Sequence, residues 1–204
     1  MTPRITIKNT FRHLGKILKH KYWVCYYCCK AGIPWRGIKH DMSKFSPTEF
    51  WESVRYYQGN RSPIDACKED KGYSKAWLHH KGRNKHHYEY WQDNFDNGGK
   101  PLQMPYKDAV EMLCDYLGAG RAYMGKNFNL QAEYEWWLKK SAKPLAMHEH
   151  TRTFIHRILH TMAQEETIYE RKVVESVNLT PSAIKWEYRD IEIKAMAREK
   201  GIYG

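Results

Sequence analysis

Apolar positions in this chain recur at spacings of three and four, and the strict alternation of a half-buried strand barely occurs. The first run predicts a helix over 5–31, closed by Gly32 and Pro34, with Ile17, His20, Val24, Tyr27 or Cys28, and Ala31 along its inward stripe. A short helical turn over 37–45 follows. Ser46-Pro47-Thr48-Glu49 then reads as a helix start: a capping serine, a proline at the first helical position and a reciprocal glutamate. That helix should end near Gly59, and 60–72 reads as an irregular loop. Helical pieces are expected over 73–80 and 84–95, on either side of Gly82. After Asn97-Gly98-Gly99 and two prolines, a helix over 106–123 should carry Val110, Leu113, Leu117 and Met124 on one side. Helices over 131–140 and 147–177 follow, and a last one opens at Thr180-Pro181. The reading is an all-α chain: a helical domain at 1–127 and a helical appendage, 128–204, packed on its core.

Composition adds a preference for partners. With 34 Lys+Arg against 23 Asp+Glu the net charge is +11, which favours an anionic partner: a nucleotide, another phosphorylated small molecule, or nucleic acid. The basic residues are scattered, so a solvated surface accounts for much of this charge. No stretch approaches the roughly 18 apolar residues of a membrane span, and no apolar signal core follows the basic N-terminus. A cytoplasmic chain is the expectation. Cys25, Cys28 and Cys29 crowd one helical segment, but Cys67 and Cys114 stand alone, so no paired zinc motif is complete. Buried, reduced thiols are expected.

The histidines carry the candidate chemistry. His20 interrupts an apolar stripe, His40 is followed directly by Asp41, and Asp115 lies mid-helix among apolar neighbours. His79 and His80 are matched by His86 and His87, each pair seven apart. Singly, each is an ordinary residue. Together, imidazoles and carboxylates are ligands for mid-series divalent metals (Mn, Fe, Co, Ni or Zn), and helices can aim several of them into one interior. Burying them with no cation would cost a few kcal/mol apiece. His148, His150, His156 and His160 read as structural. His156 and His160 share a helical face, but no acidic partner completes a site.

The order His20, His40-Asp41, Asp115, with the string HDMSK at 40–44, resembles the HD-domain metal-dependent phosphohydrolase superfamily; Ser43 stands where glycine is common. HDMSKFSPTEF (40–50) and HHKGRNKHHYEYW (79–91) also resemble a family of unknown function from phage and bacterial genomes, over most of 10–125. The chain past Leu130 is covered by neither resemblance.

The superfamily resemblance implies an HD-domain-like helical bundle with additional C-terminal helices. It makes His20, His40, Asp41 and Asp115 primary ligands of one or two divalent ions, with Asp41 as the bridge if there are two. Two further histidines between Asp41 and Asp115 would serve a second ion: His80 and His87, with His79 and His86 as alternates. Lys44, Arg83, Lys85 and Arg121 are candidates to receive a substrate phosphate, and Asp41, Lys44 and Arg83 to take part in catalysis. Asn84 and Glu89 are candidates to orient the metal-bound imidazoles. The implied activity is hydrolysis of a nucleotide or other phosphorylated small molecule. An oxygen-activating di-iron enzyme and a non-enzymatic basic module that binds nucleic acid or a protein are the competing readings.

Overall fold

The computed structural model describes residues 4–175, apart from 94, 95 and 97, and it is all-α with one minimal hairpin. Helix α1 (Ile7–Lys30) opens at Thr6, whose hydroxyl accepts from the Asn9 amide at 3.1 Å. Its buried residues are His13, Ile17, His20, Val24, Tyr27 and Cys28, the expected stripe extended one turn towards the N-terminus. Helices α2 (Pro34–Lys39), α3 (Pro47–Arg55) and α4 (Pro63–Lys71) each begin on a proline, whose missing N–H is an orphan at that position anyway. Helix α4 corrects the expected loop over 60–72. Pro63 reads as a chain breaker, but it opens a helix that closes at Gly72 with φ 78°.

Helix α5 (Lys75–Lys81) is followed by a second correction. Of the expected helix over 84–95, residues 94 and 95 lie outside those described, and the rest is instead a turn, a single 3-10 turn at Tyr88–Tyr90, and a strand β1 (Gln92–Asp93) paired antiparallel with β2 (Lys100–Pro101). Here burial overrides local propensity: His86 is buried on one side of the chain while Tyr88 and Trp91 pack against the hydrophobic core.

Helix α6 (Tyr106–Met124) is the axis of the molecule. The sequence predicts one apolar stripe on it, yet every residue from Asp108 to Cys114 is buried, while Met124 at its end is 40% exposed. A helix buried nearly all round is wrapped by its neighbours. It lies along α1, where the helices touch at Gly118: a Cβ there would stand 2.5 Å from Val24 Cγ2 and 3.0 Å from its backbone nitrogen. Gly37 makes the same kind of approach, seating α2 on the backbone of α1 at Cys25. Gly118→Ala should therefore cost about 1–3 kcal/mol by overpacking, seen as a lower denaturation midpoint; an unchanged midpoint would mean that the two helices can slide apart freely.

Helices α7 (Leu130–Ser141) and α8 (Glu149–Glu175) pack on the same core, with Trp137, Ile155, Ile158 and Leu159 in one cluster with Val24 and Leu113. The helix expected after Thr180 lies outside the described residues. No helix among those described is long and apolar enough to cross a membrane. All five cysteines are free; Cys28, Cys67 and Cys114 are buried as expected, whereas Cys29 is exposed. His156 and His160 stack nearly parallel with Tyr134 beside both rings, which suits a packing role.

Candidate metal centre

Four chain segments deliver His20, His40, Asp41, His80 and Asp115 to one place, and the turn after α5 adds His86 and His87. His20 comes from the middle of α1, Asp115 from the middle of α6, His80 from the last turn of α5, and His40-Asp41 from the corner after α2. Asp41 has φ 54°, the only non-glycine residue with positive φ among those described. Aspartate tolerates this left-handed conformation better than most residues. The corner turns both His40 and Asp41 inward, each 1% exposed.

Asp41 then divides the cluster. Its Oδ2 faces His20 Nε2 at 3.4 Å and His40 Nε2 at 3.2 Å. Its Oδ1 faces His80 Nε2 and His86 Nε2, both at 3.3 Å. Asp115 closes the first half, its Oδ1 3.0 Å from His20 Nε2 and 3.4 Å from His40 Nε2. His87 joins the second half: Asp41, His80, His86 and His87 each offer a ligand atom within 4.8 Å of the others, as do His20, His40, Asp41 and Asp115. The two groups share Asp41.

The remaining ring nitrogens explain the orientation. His80 Nδ1 lies 2.7 Å from Glu49 Oε2, and His40 Nδ1 and His86 Nδ1 lie 3.0 and 3.2 Å from Glu111 Oε1. A carboxylate only accepts, so each Nδ1 carries a proton and each Nε2 points to the centre, where it offers a lone pair once that ring is neutral. Arg36 supports Glu111 at 3.0 Å, and Asn84 binds the His80 carbonyl at 2.8 Å and the Ser43 hydroxyl at 2.8 Å. Ser43, in the position where glycine is common in the resembled motif, thus links the Asp41 corner to α5.

At the centre itself, hydrogen bonding fails. The Nε2 atoms of His20, His40, His86 and His87 and both Asp41 carboxylate oxygens are buried and have no hydrogen-bond partner among the described residues. Lys44 Nζ stands 2.5 Å from Asp41 Oδ2 as an ion pair without hydrogen-bond alignment. So many unsatisfied inward lone pairs are costly unless a cation takes them. Without one, charge must be balanced by protons. Burial opposes the Asp41 carboxylate, but His40, Lys44 and His80 outweigh it and hold its pKa well below the usual range; His20 and His40 do the same for Asp115. Burial likewise opposes a charged His80, yet Asp41 and Glu49 raise its pKa to about 9.

Of the histidines left as alternates, His79 is spent on Glu49, 2.6 Å from Oε1, and belongs to neither group, whereas His86 is fully in the centre beside His87. Both can face inward because 82–87 is a turn and not a helix, so neighbouring side chains need not diverge. Among the expected phosphate contacts, Lys44 lies at the centre. Arg83 and Lys85 are exposed, and Arg121 is held by the Tyr27 hydroxyl and the Trp23 and Phe128 rings. Glu89 keeps a buried carboxylate oxygen without a hydrogen-bond partner among the described residues, unlike Asn84, which donates to the His80 carbonyl.

Glu49 and Glu111 are the functional residues that the sequence reading missed. Glu49 passes for the capping-box glutamate; Ser46 does cap α3, accepting from the Glu49 amide at 3.4 Å, but the Glu49 carboxylate goes to the histidines instead. Glu111 was legible in principle, one helical turn before Asp115. Glu111→Gln, which loses the charge that aligns His40 and His86, should weaken metal binding roughly 10–100-fold; equal affinity by calorimetry would make Glu111 mere packing.

Beside the centre lies a cavity of about 230 Å³. His20, Lys44 and Asp115 line it on the side of the centre, and Lys16, His13 and Tyr123 also line it. His13, also unforeseen, is buried; burial and Lys44 hold its pKa down at about 4, so it is a neutral imidazole.

Residues 9–161 match the model of a family described only as a family of unknown function, DUF5662. The chain belongs to that family. The DUF5662 match takes in both histidine-bearing strings and continues past Leu130 through α7 into α8, so these helices are part of the family's unit. No curated protein and no solved structure matches the chain.

Proposed function

We propose that this DUF5662 protein is a metal-dependent phosphohydrolase of the HD-domain kind, holding two divalent ions bridged by Asp41 and acting on a phosphorylated small molecule. One observation carries the reading: the two oxygens of a single buried carboxylate each face a separate set of histidine Nε2 atoms. A nitrogen-rich set with few carboxylates suits Mn, Fe, Co, Ni or Zn better than Mg or Ca. Bound there, such ions would supply an acidified water and polarise a phosphoryl oxygen.

The chain's own residues supply the rest. Lys44, reaching both the centre and the cavity, would neutralise a phosphate and hold it beside the metal site. Lys16 adds positive charge to the cavity lining, its Nζ 3.2 Å from the Ala122 carbonyl. These two lysines replace Arg83, Lys85 and Arg121 in the role expected of those residues. Glu49 and Glu111 keep the imidazoles fixed, so that charge developing in the transition state meets a set of groups already in position.

The test is elemental analysis of protein purified without chelators, then hydrolysis of p-nitrophenyl phosphate before and after chelation. About two ions per chain, and turnover that chelation abolishes and Mn or Co restores, are expected. Failure to retain metal even after reconstitution would sink the centre. Iron with oxygen consumption and no phosphatase activity would move the reading to the oxygen-activating alternative, and metal with neither activity to a binding module.

A further inference from the structure

The 230 Å³ cavity at the metal centre adjoins a second, of about 470 Å³, and Ser62, Ala119 and Tyr123 are in the walls of both. The second lies between α6, α7 and the start of α4, away from every candidate ligand. Its chemistry differs from the first. Trp136 and Tyr116 stand edge to face with centroids 5.1 Å apart, and Trp136 remains 42% exposed. Lys140 lies over both rings, at 5.1 and 5.0 Å from their centroids.

Glu133 faces this space and is otherwise unexplained. It is 5% exposed, and its carboxyl group has no hydrogen bond or ion pair among the described residues. Gly120 makes room for it: a Cβ at that position would be 2.2 Å from Glu133 Oε2. Burial, with Asp115 adding to it, pushes its pKa up to about 8, so at neutral pH it is largely a carboxylic acid with one donor and one acceptor. A buried, unpartnered acid beside a part-exposed indole is the chemistry that recognises a flat ring with a donor–acceptor edge.

We infer that the cavity lined by Glu133, Trp136, Tyr116 and Lys140 is a subsite for a planar nitrogen heterocycle, belonging to a substrate whose phosphate end occupies the adjoining cavity at Lys44. The ring stacks on Trp136, its edge pairs with the Glu133 carboxyl, and the Tyr123 ring stands at the junction. Only the phosphate end of this inference rests on the phosphohydrolase reading.

The experiment is calorimetric titration of the Mn-loaded full chain with the four common nucleoside 5′-monophosphates, with ribose 5-phosphate and with the matching nucleosides. At least one nucleotide should bind roughly tenfold or more tighter than ribose 5-phosphate, the scale of one base–aromatic stack. Glu133→Leu and Trp136→Leu should each erase that advantage and leave ribose 5-phosphate binding unchanged. Glu133→Gln, which keeps a donor and an acceptor, should retain it. Trp136 is partly exposed, so its variant tests the subsite even if Leu at position 133 disturbs folding. Nucleotides binding no better than ribose 5-phosphate, or an advantage that survives both leucine variants, would overturn the subsite and leave the metal reading standing. Nucleosides that bind in a Glu133-dependent way to a protein that holds no metal would support the subsite and overturn the phosphohydrolase.

Discussion

Asp41→Asn is expected to purify without metal and without turnover while its helices remain folded. Asp41 is the one residue shared by both ligand groups, so its loss weakens both halves at once. The effect should exceed the roughly 10–100-fold typical of a supporting residue and take metal content to background. Asparagine is the informative substitution because Asp41 sits at φ 54°. Asparagine accepts that backbone nearly as well, whereas alanine would add about 1–2 kcal/mol of left-handed strain and blur the result. Elemental analysis beside far-ultraviolet circular dichroism separates the two effects. A folded Asp41→Asn protein with full metal would refute the bridge.

The second large effect is a pH dependence of opposite sign in the metal-free and metal-bound protein. His80 faces Asp41 and Glu49, with Lys44 opposing, and its pKa rises from 6.5 to about 9 on folding. A raised value means stability that is complete below about pH 6.5 and lost as pH climbs through 9. Glu111, lowered from 4.5 to about 2 by His40 and His86 against the effect of burial, contributes stability above pH 4.5 that is lost as pH falls towards 2. The metal-free protein should therefore be most stable between roughly pH 4.5 and 6.5 on account of these two groups. Metal binding needs His80 neutral, so affinity should rise from pH 6.5 to 9, about tenfold per pH unit for each proton displaced.

At a free metal concentration about a thousand times Kd, binding adds roughly 4 kcal/mol. In a chain of this size that is about 8–16 °C in Tm. Thermal melts with and without chelator from pH 5 to 9 check both signs. A metal-induced shift that shrinks as pH rises would contradict the assignment of His80 as a ligand.

How much of the centre was legible depends on the kind of signal each residue leaves. His20 and Asp115 stood out because a polar residue inside an apolar helical stripe breaks a pattern, and His40-Asp41 because the pair is itself a motif. His86 and His87 could not be separated on spacing, since a helical-face argument needs a helix and none exists at 82–87. Glu49 was hidden by a second plausible role: at the third position of a helix a glutamate reads as a cap, and only the arrival of α5 across α3 gives it two imidazoles to bind. Lys85 and Arg83 looked like phosphate ligands because they neighbour the histidines in sequence, but the turn at 82–87 gives its inward positions to Asn84, His86 and His87 and leaves both basic residues exposed.

The chain's own pattern established the class of the fold, the length of α1 and α6, and the presence of an unusual set of histidines and aspartates that could hold a metal. Those properties are local: periodicity, caps and composition are written in consecutive residues. Tertiary packing settled the rest. It turned 63–71 into a helix and 84–93 into a turn and a strand, because burial of Tyr88, Trp91 and His86 outweighs weak local preference. It chose His80 over His79, recruited Glu111 and Glu49 from separate helices, and split the Asp41 carboxylate between two groups of histidines. Each of those outcomes depends on distances between segments far apart in sequence, which no local pattern encodes.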